Sequence, residues 1–225
     1  MNVSLIIPAL NEAACIGPLL AELPPGLVHE VLVVDNGSTD DTAGAAQRAG
    51  AQVVGEPRRG YGYACAAGAA VATGALLVFM DGDGSFVPGE LDRLITPLLN
   101  SSADLTLGTR MRGGMAPGAM PPHQRFGNRL VARLVYLLYG VRLTDLGPFR
   151  AVRRDLLTTL DMRERTYGWP IEMIVKAARR NARIVELPVS YRPRTAGHSK
   201  VGGTVRGTLL ATYRILRTTL RYASS

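Results

Sequence analysis

Along the first hundred residues, short apolar runs alternate with stretches of helical composition. The runs at 3–7, 31–34, 52–54 and 76–80 are nearly continuous in Val, Ile, Leu and Phe, the pattern of strands covered on both faces. Between them, 11–22, 40–49 and 61–73 have helical composition. This alternation predicts an α/β fold with a parallel sheet between two layers of helices. The second half adds strands at about 104–108 and 183–187, and helices at about 125–139, 170–181 and 204–222. A Gly/Pro/Met-rich loop covers 111–122, and no repeat or linker marks a second independent domain.

Composition changes this picture little and charge changes it more. With 225 residues, 47% of them hydrophobic, the chain can bury a core without metal or disulfide staples. Cys15 and Cys65 are too few and too far apart for a disulfide framework, and read as packed thiols in a reducing cytoplasm. No export signal is expected at Met1-Asn-Val-Ser-Leu-Ile-Ile, which lacks a basic region. The charge-free stretch 61–80 has the length of a membrane span. Its Ala and Gly content instead predicts a helix followed by a buried strand. Net charge is +8, and after Glu186 seven Lys and Arg residues meet no acid at all. Such a balance favours an anionic partner. Nucleic acid is not that partner, since aromatics make up only 6% and no nucleic-acid-binding motif is present.

The chemistry-bearing residues cluster just after the strands, where open α/β sheets bind ligands. Three clusters stand there: Pro8-Ala-Leu-Asn-Glu12, Asp35-Asn-Gly-Ser-Thr-Asp40 and Asp81-Gly-Asp83. Two carboxylates one residue apart, with Gly82 between them, can converge on Mg²⁺ or Mn²⁺ that also carries substrate phosphates. Asp35 at a strand tip can accept hydrogen bonds from a base or ribose. A dinucleotide cofactor and an ATPase-type phosphate loop are excluded, because neither glycine fingerprint is present in its required context. His29, His123 and His198 are scattered without metal-ligand spacing. Trp169 and Tyr167, before a helix start, read as packing residues, with stacking of Trp169 on a sugar or isoprene as the alternative.

Ile7-Pro-Ala-Leu-Asn-Glu12, Val33-Val-Asp-Asn-Gly-Ser-Thr-Asp40 and Asp81-Gly-Asp83 resemble the nucleotide-sugar motifs of family-2 glycosyltransferases with a GT-A fold. Gly108-Thr-Arg-Met-Arg-Gly-Gly114, Phe149-Arg-Ala-Val-Arg-Arg154, Glu172 and Arg194-Thr-Ala-Gly-His-Ser-Lys200 are similar to the polyprenyl-phosphate (dolichyl-phosphate) mannose and glucose synthase branch. The resemblance covers nearly the whole chain in order. It implies a Rossmann-like, mostly parallel sheet with a donor half (1–110) and an acceptor half (111–225) of one domain. It implies inverting transfer of a hexose from a GDP- or UDP-sugar to a polyprenyl phosphate. By the same resemblance Pro8, Ala9, Asn11, Glu12 and Asp35 hold base and ribose, while Asp81, Gly82 and Asp83 hold metal and diphosphate. Arg110, Arg125, Asn128, Arg194, Ser199 and Lys200 then hold the acceptor phosphate and the leaving diphosphate, with Asp83, Arg110, Arg125 and Lys200 the catalytic set. Three positions depart from the pattern: Asn36 replaces a common second Asp, Ser85 replaces a Gln, and Asp145-Leu-Gly-Pro-Phe-Arg150 replaces Thr-Ser-Gly-Phe-Arg.

The basic residues also have a physical rationale. A phosphate monoester is already an oxyanion at neutral pH, so it needs cations rather than a base to approach a diphosphate. An alcohol acceptor would need a general base, and Asp145 is the candidate. Glu172 either orients a sugar hydroxyl or caps local structure. The competing readings are a transferase acting on a small soluble acceptor and a non-catalytic nucleotide-sugar-binding membrane module. On a helical wheel of about 100° per residue, Arg206, Arg214, Arg217 and Arg221 share one arc beside Val205, Leu209, Tyr213, Leu216 and Leu220. That amphipathic pattern leads to the expectation of a cytoplasmic protein, peripheral on an anionic inner membrane face.

Overall fold

The computed structural model describes residues 2–197 and 205–223. In chain order the elements are β1 (Val3–Ala9), α1 (Ala13–Ala21), β2 (Glu30–Asp35), α2 (Thr42–Arg48), β3 (Gln52–Gly55), α3 (Tyr61–Val71), β4 (Leu76–Phe79) and α4 (Leu91–Leu99). There follow β5 (Leu105–Thr109), α5 (Pro122–Tyr139), β6 (Arg150–Arg153), α6 (Arg154–Thr159), α7 (Trp169–Arg179), β7 (Ile184–Pro188) and α8 (Val205–Arg221). The charge-free stretch 61–80 is α3 followed by β4, as its composition predicts. No helix among the described residues is long and apolar enough to cross a membrane.

One seven-stranded sheet runs through the molecule in the order β3-β2-β1-β4-β6-β5-β7. Strands β1 to β4 pair in parallel, and so do β5 and β7. The sheet is not purely parallel, however, because β6 lies antiparallel between β4 and β5. The two halves read from the sequence therefore share one sheet, with β6 of the second inserted between two strands of the first. Side chains alternate across β1: Ile6 faces a core built with α3 and α7, while Leu5 and Ile7 face one built with α1 and α4. Both layers are apolar, and Leu5, Ile6, Ile7, Leu32, Val33 and Val34 are all fully buried.

Three elements escape the hydrophobic pattern. Helix α4 buries Leu91, Leu94, Ile95 and Leu98, but it is only nine residues long and contains Pro97. Strand β6 is four residues with Arg at both ends, and α6 is a single short helix. Two helices begin later than the composition predicts. Asn11 has a left-handed φ of 54°, which keeps it in the turn before α1, and α2 begins only at Thr42. Trp169 is buried edge-on to Phe79 at 6.3 Å, so it packs the core and has no face left for a ligand.

Candidate active site

The parallel register brings the first two clusters side by side. Ala9 pairs with Asp35, and Asp35 with Gly55, so the tips of β1, β2 and β3 end level. Hydrogen bonds then lace the loops together. The Asn11 amide donates to the Ser38 hydroxyl at 2.9 Å, and the Thr39 amide donates to the Asn11 side-chain oxygen at 2.7 Å. The Glu12 amide donates to Thr42 at 2.9 Å, and the Ser38 amide to Asp35 at 2.9 Å. Asn36, the residue that departs from the family pattern, is buried and structural. Its amide nitrogen donates to the carbonyls of Glu56 and Arg58, and its oxygen accepts the Gly60 amide. A carboxylate could not make the two donations, so Asn is the residue this knot requires.

Asp81 and Asp83 follow β4 in a tight turn. Burial, with the like charge of Asp83 beside it, pushes Asp81 up to about 7, although Arg110, Arg150 and Arg194 pull the other way. Ser85 donates both its amide (3.0 Å) and its hydroxyl (2.6 Å) to one oxygen of Asp83. The other oxygen faces Arg194 at 3.2 Å. Arg194 also pairs with Glu12 at 2.5 Å, so one guanidinium ties the first motif to the acid pair. It is carried there by the segment after β7: the Thr195 amide donates to the Asp83 carbonyl, and the Arg192 amide to that of Ser85. Gly84, at φ 76°, lets this segment lie close, since a Cβ there would collide with Thr195.

A second cluster forms at the end of β5. Asp145 is completely buried and accepts five hydrogen bonds: three from Arg110 at 2.7–3.0 Å, one from Asn128 at 2.9 Å and one from the Leu146 amide at 2.8 Å. Burial alone would raise its carboxyl, but the Arg110 guanidinium outweighs it and holds Asp145 below the usual range. Arg110 lies over the ring of Tyr191 at 5.0 Å, and Tyr191 packs on Phe86 behind the acid pair. Beside this knot lies a slot of about 140 Å³ lined by Leu146, Pro148, Tyr167, Pro170, Ile171 and Ile215 together with Arg110 and Asn128. Fully buried Arg150 donates to the carbonyls of Leu146, Gly147 and Pro170 in the same region, a contact no local sequence signal gives away.

Pro8, Ala9, Asn11, Glu12, Asp35, Asp81, Gly82 and Asp83 thus gather at the tips of β1, β2 and β4, joined by Arg194. Arg110, Asn128 and Asp145 gather at the end of β5. Arg125 is exposed on α5 and touches neither cluster by a hydrogen bond or ion pair among the described residues. Ser199, Lys200 and His198 lie outside the described residues. Glu172 is buried away from any opening. It accepts the amides of Arg163 and Glu164 and the Tyr222 hydroxyl, and pairs with Lys176, so it caps local structure.

The model of the family described as glycosyl transferase family 2 matches residues 4–161. The chain belongs to that family. This family-2 glycosyltransferase is 42% identical over 209 residues to an uncharacterised glycosyltransferase of Mycobacterium tuberculosis, covering 93% of the chain and 94% of the relative. It is 32% identical over 221 residues to an undecaprenyl-phosphate mannosyltransferase of Micrococcus luteus, covering 92% and 90%. Among solved structures, glucosyl-3-phosphoglycerate synthase of Mycobacterium tuberculosis superposes with a TM-score of 0.82 at 25% identity, covering 99% of this chain and 80% of that one. The same enzyme with Mn²⁺, UDP-glucose and phosphoglyceric acid gives a TM-score of 0.79 at 26% identity. The sheet is therefore a GT-A sheet, and the family-2 transferase carries its strand-tip clusters where such sheets bind ligands.

Proposed function

We propose that this transferase moves a hexose from a UDP- or GDP-sugar to a polyprenyl phosphate with inversion. The observation that carries the reading is the slot beside Arg110. Its walls are almost wholly apolar and it meets the Arg110–Asn128 pair, the profile of a prenyl chain ending in a phosphate. A small phosphorylated acid would place its carboxylate against Leu146, Pro148, Ile171 and Ile215 once its phosphate had taken the Arg110–Asn128 pair. That soluble acceptor remains the second reading, favoured by the fold's likeness to an enzyme solved with phosphoglyceric acid.

Asp81 and Asp83 fit a divalent cation shared with the donor diphosphate. They are two carboxylates one residue apart in the turn after β4, both oxygen donors suited to a hard divalent ion. When bound, Mg²⁺ or Mn²⁺ would offset the charge that develops on the leaving diphosphate. The chain's own residues would do the rest. Asp35, Asn11 and the β1 tip bind the nucleoside, and Arg194 turns from Glu12 and Asp83 toward the diphosphate. Arg110, pinned by Asp145, orients the acceptor phosphate. An oxygen of that phosphate attacks the anomeric carbon as the bond to the diphosphate breaks. The electron pair leaves with the nucleoside diphosphate, and no proton need be removed at neutral pH. Asp145 then acts by holding Arg110 rather than as a base.

The test pairs UDP- and GDP-sugars with Mn²⁺ and offers either a detergent-solubilised polyprenyl phosphate or 3-phosphoglycerate. Transfer to the lipid alone, giving a β-linked product from an α-linked donor and abolished by EDTA or Asp83→Ala, is expected. Turnover on 3-phosphoglycerate alone would establish the soluble reading.

A further inference from the structure

Next to the Arg110–Asp145 knot lies a larger groove of about 520 Å³ that the transfer reaction does not use. One wall is α5, through Arg129, Arg133 and Tyr136; the other comes from Arg112 and from Arg142 and Leu143. All four arginines are exposed, and none forms an ion pair among the described residues. The carboxylates at its edge are already committed. Asp145 is saturated by Arg110, Asn128 and the Leu146 amide, and Glu186 accepts the amides of Thr144 and Asp145 and the Thr144 hydroxyl. Arg142 lies over the Tyr136 ring at 5.4 Å, which holds one guanidinium in the groove wall. Four guanidinium groups around one concavity repel each other unless an anion sits among them, and Arg presents the fork that grips phosphate oxygens.

The neighbours of the groove tell which phosphate. On α5, Arg129 and Arg133 share an arc of about 100° with Phe126, Leu130 and Leu137. Those three apolar side chains are 69%, 52% and 68% exposed. A cationic concavity flanked by bare apolar side chains has the layering of a lipid: phosphate in the groove, acyl chain beside it. A soluble phosphate would leave that apolar flank without a use.

We propose that this groove is a headgroup site for an anionic phospholipid, distinct from the acceptor slot. The inference rests on the reading of the acceptor as a membrane lipid, and its vesicle test is read without turnover. It is tested by flotation of the full chain with phosphatidylcholine vesicles, with and without phosphatidylglycerol. Only the latter should carry the protein, and added salt should weaken the binding. The double variant Arg129→Gln, Arg133→Gln should bind these vesicles about thirtyfold more weakly, taking each cation near the surface as worth about 1 kcal/mol. The charge-matched variant Arg93→Gln, Arg180→Gln, on other surfaces, should lose less than about threefold. Equal losses in the two variants would reduce the groove to diffuse charge and overturn the site. Displacement from vesicles by millimolar glycerol phosphate would assign the groove to a soluble ligand instead. Sugar transfer to a short polyprenyl phosphate in detergent should survive in the Arg129, Arg133 variant. Its loss there would make the groove part of the acceptor site and overturn the distinction, whereas failure of transfer in the wild type would bear on the catalytic reading alone.

Discussion

Replacing Asp145 by Asn tests whether this carboxylate positions Arg110 or removes a proton. The change keeps the shape and one acceptor oxygen but deletes the charge opposite a guanidinium whose side chain is 12% exposed. Breaking one partner of a buried pair costs about 3–5 kcal/mol, because the other charge stays buried and unpaired. The amide retains some of the five hydrogen bonds, which places the expected loss near the low end, at about 3 kcal/mol. For a chain of 225 residues that is a fall of about 6–12 °C in Tm. The pH dependence has a definite sign. Because the folded carboxyl is held below its ordinary value, its stabilising contribution is present above roughly pH 4 and fades as the pH falls through the lowered value. Wild type and variant should therefore differ in urea midpoint at neutral pH and converge in acid. Activity should drop while the shape of the pH–rate profile is kept, since Arg110 loses its orientation and no titrating base is removed. An unchanged midpoint together with a vanished acidic limb in the profile would refute this and make Asp145 a base.

Two further outcomes are expected. Arg194→Ala should tighten Mn²⁺ binding in the absence of nucleotide several-fold, read by calorimetry, because the guanidinium now opposite Asp83 competes with the ion; unchanged or weaker binding would remove Arg194 from that place. Glu30 is raised by partial burial but held down to about 2 by hydrogen bonds from Ser4, at 2.6 Å, and from the Thr73 amide and hydroxyl, at 2.6 and 2.7 Å. Its contribution is therefore full above pH 4.5 and lost as the pH falls toward 2. Glu30→Gln should cost about 2 kcal/mol at pH 7, after discounting for solvent screening, and almost nothing near pH 2. Equal urea midpoints at pH 7 would count against this role.

The donor side was legible because its information is local. An apolar strand announces its own end, and in an open sheet the residues beyond that end face the ligand, so Asp35, Asp81 and Asp83 could be placed without knowing strand order. What the local pattern withholds is contact between distant segments. Asp145 stands 35 residues from Arg110, and only the closed sheet reveals that its charge is spent on that guanidinium. Glu172 is similar: its partners come from 163–164 and from Tyr222, so its capping role depends on how α8 folds back. Strand β6 escaped for a different reason, since Arg-Ala-Val-Arg carries too few apolar positions to register as a strand. Its central Ala151 and Val152 are buried all the same, and Arg150 is buried with its charge met by carbonyls. On α8 the wheel matches only in part: Leu209, Tyr213 and Leu220 are bare, but Leu216 of the same arc packs against the core.

The antiparallel insertion of β6 also sets an order of events during synthesis. Strands β1 to β4 can assemble as soon as residue 79 has emerged, because each already has a neighbour from the same stretch. Strand β5 cannot join them, for the place beside β4 is taken by β6, a segment more than forty residues further on. Until Arg153 is available, the free edge of β4 and both edges of β5 are open, each able to pair with another chain. The stretch that lies between them in sequence includes α5, with Arg125, Arg129 and Arg133 on one side. Like charges on that helix oppose the approach of a second nascent chain during that interval.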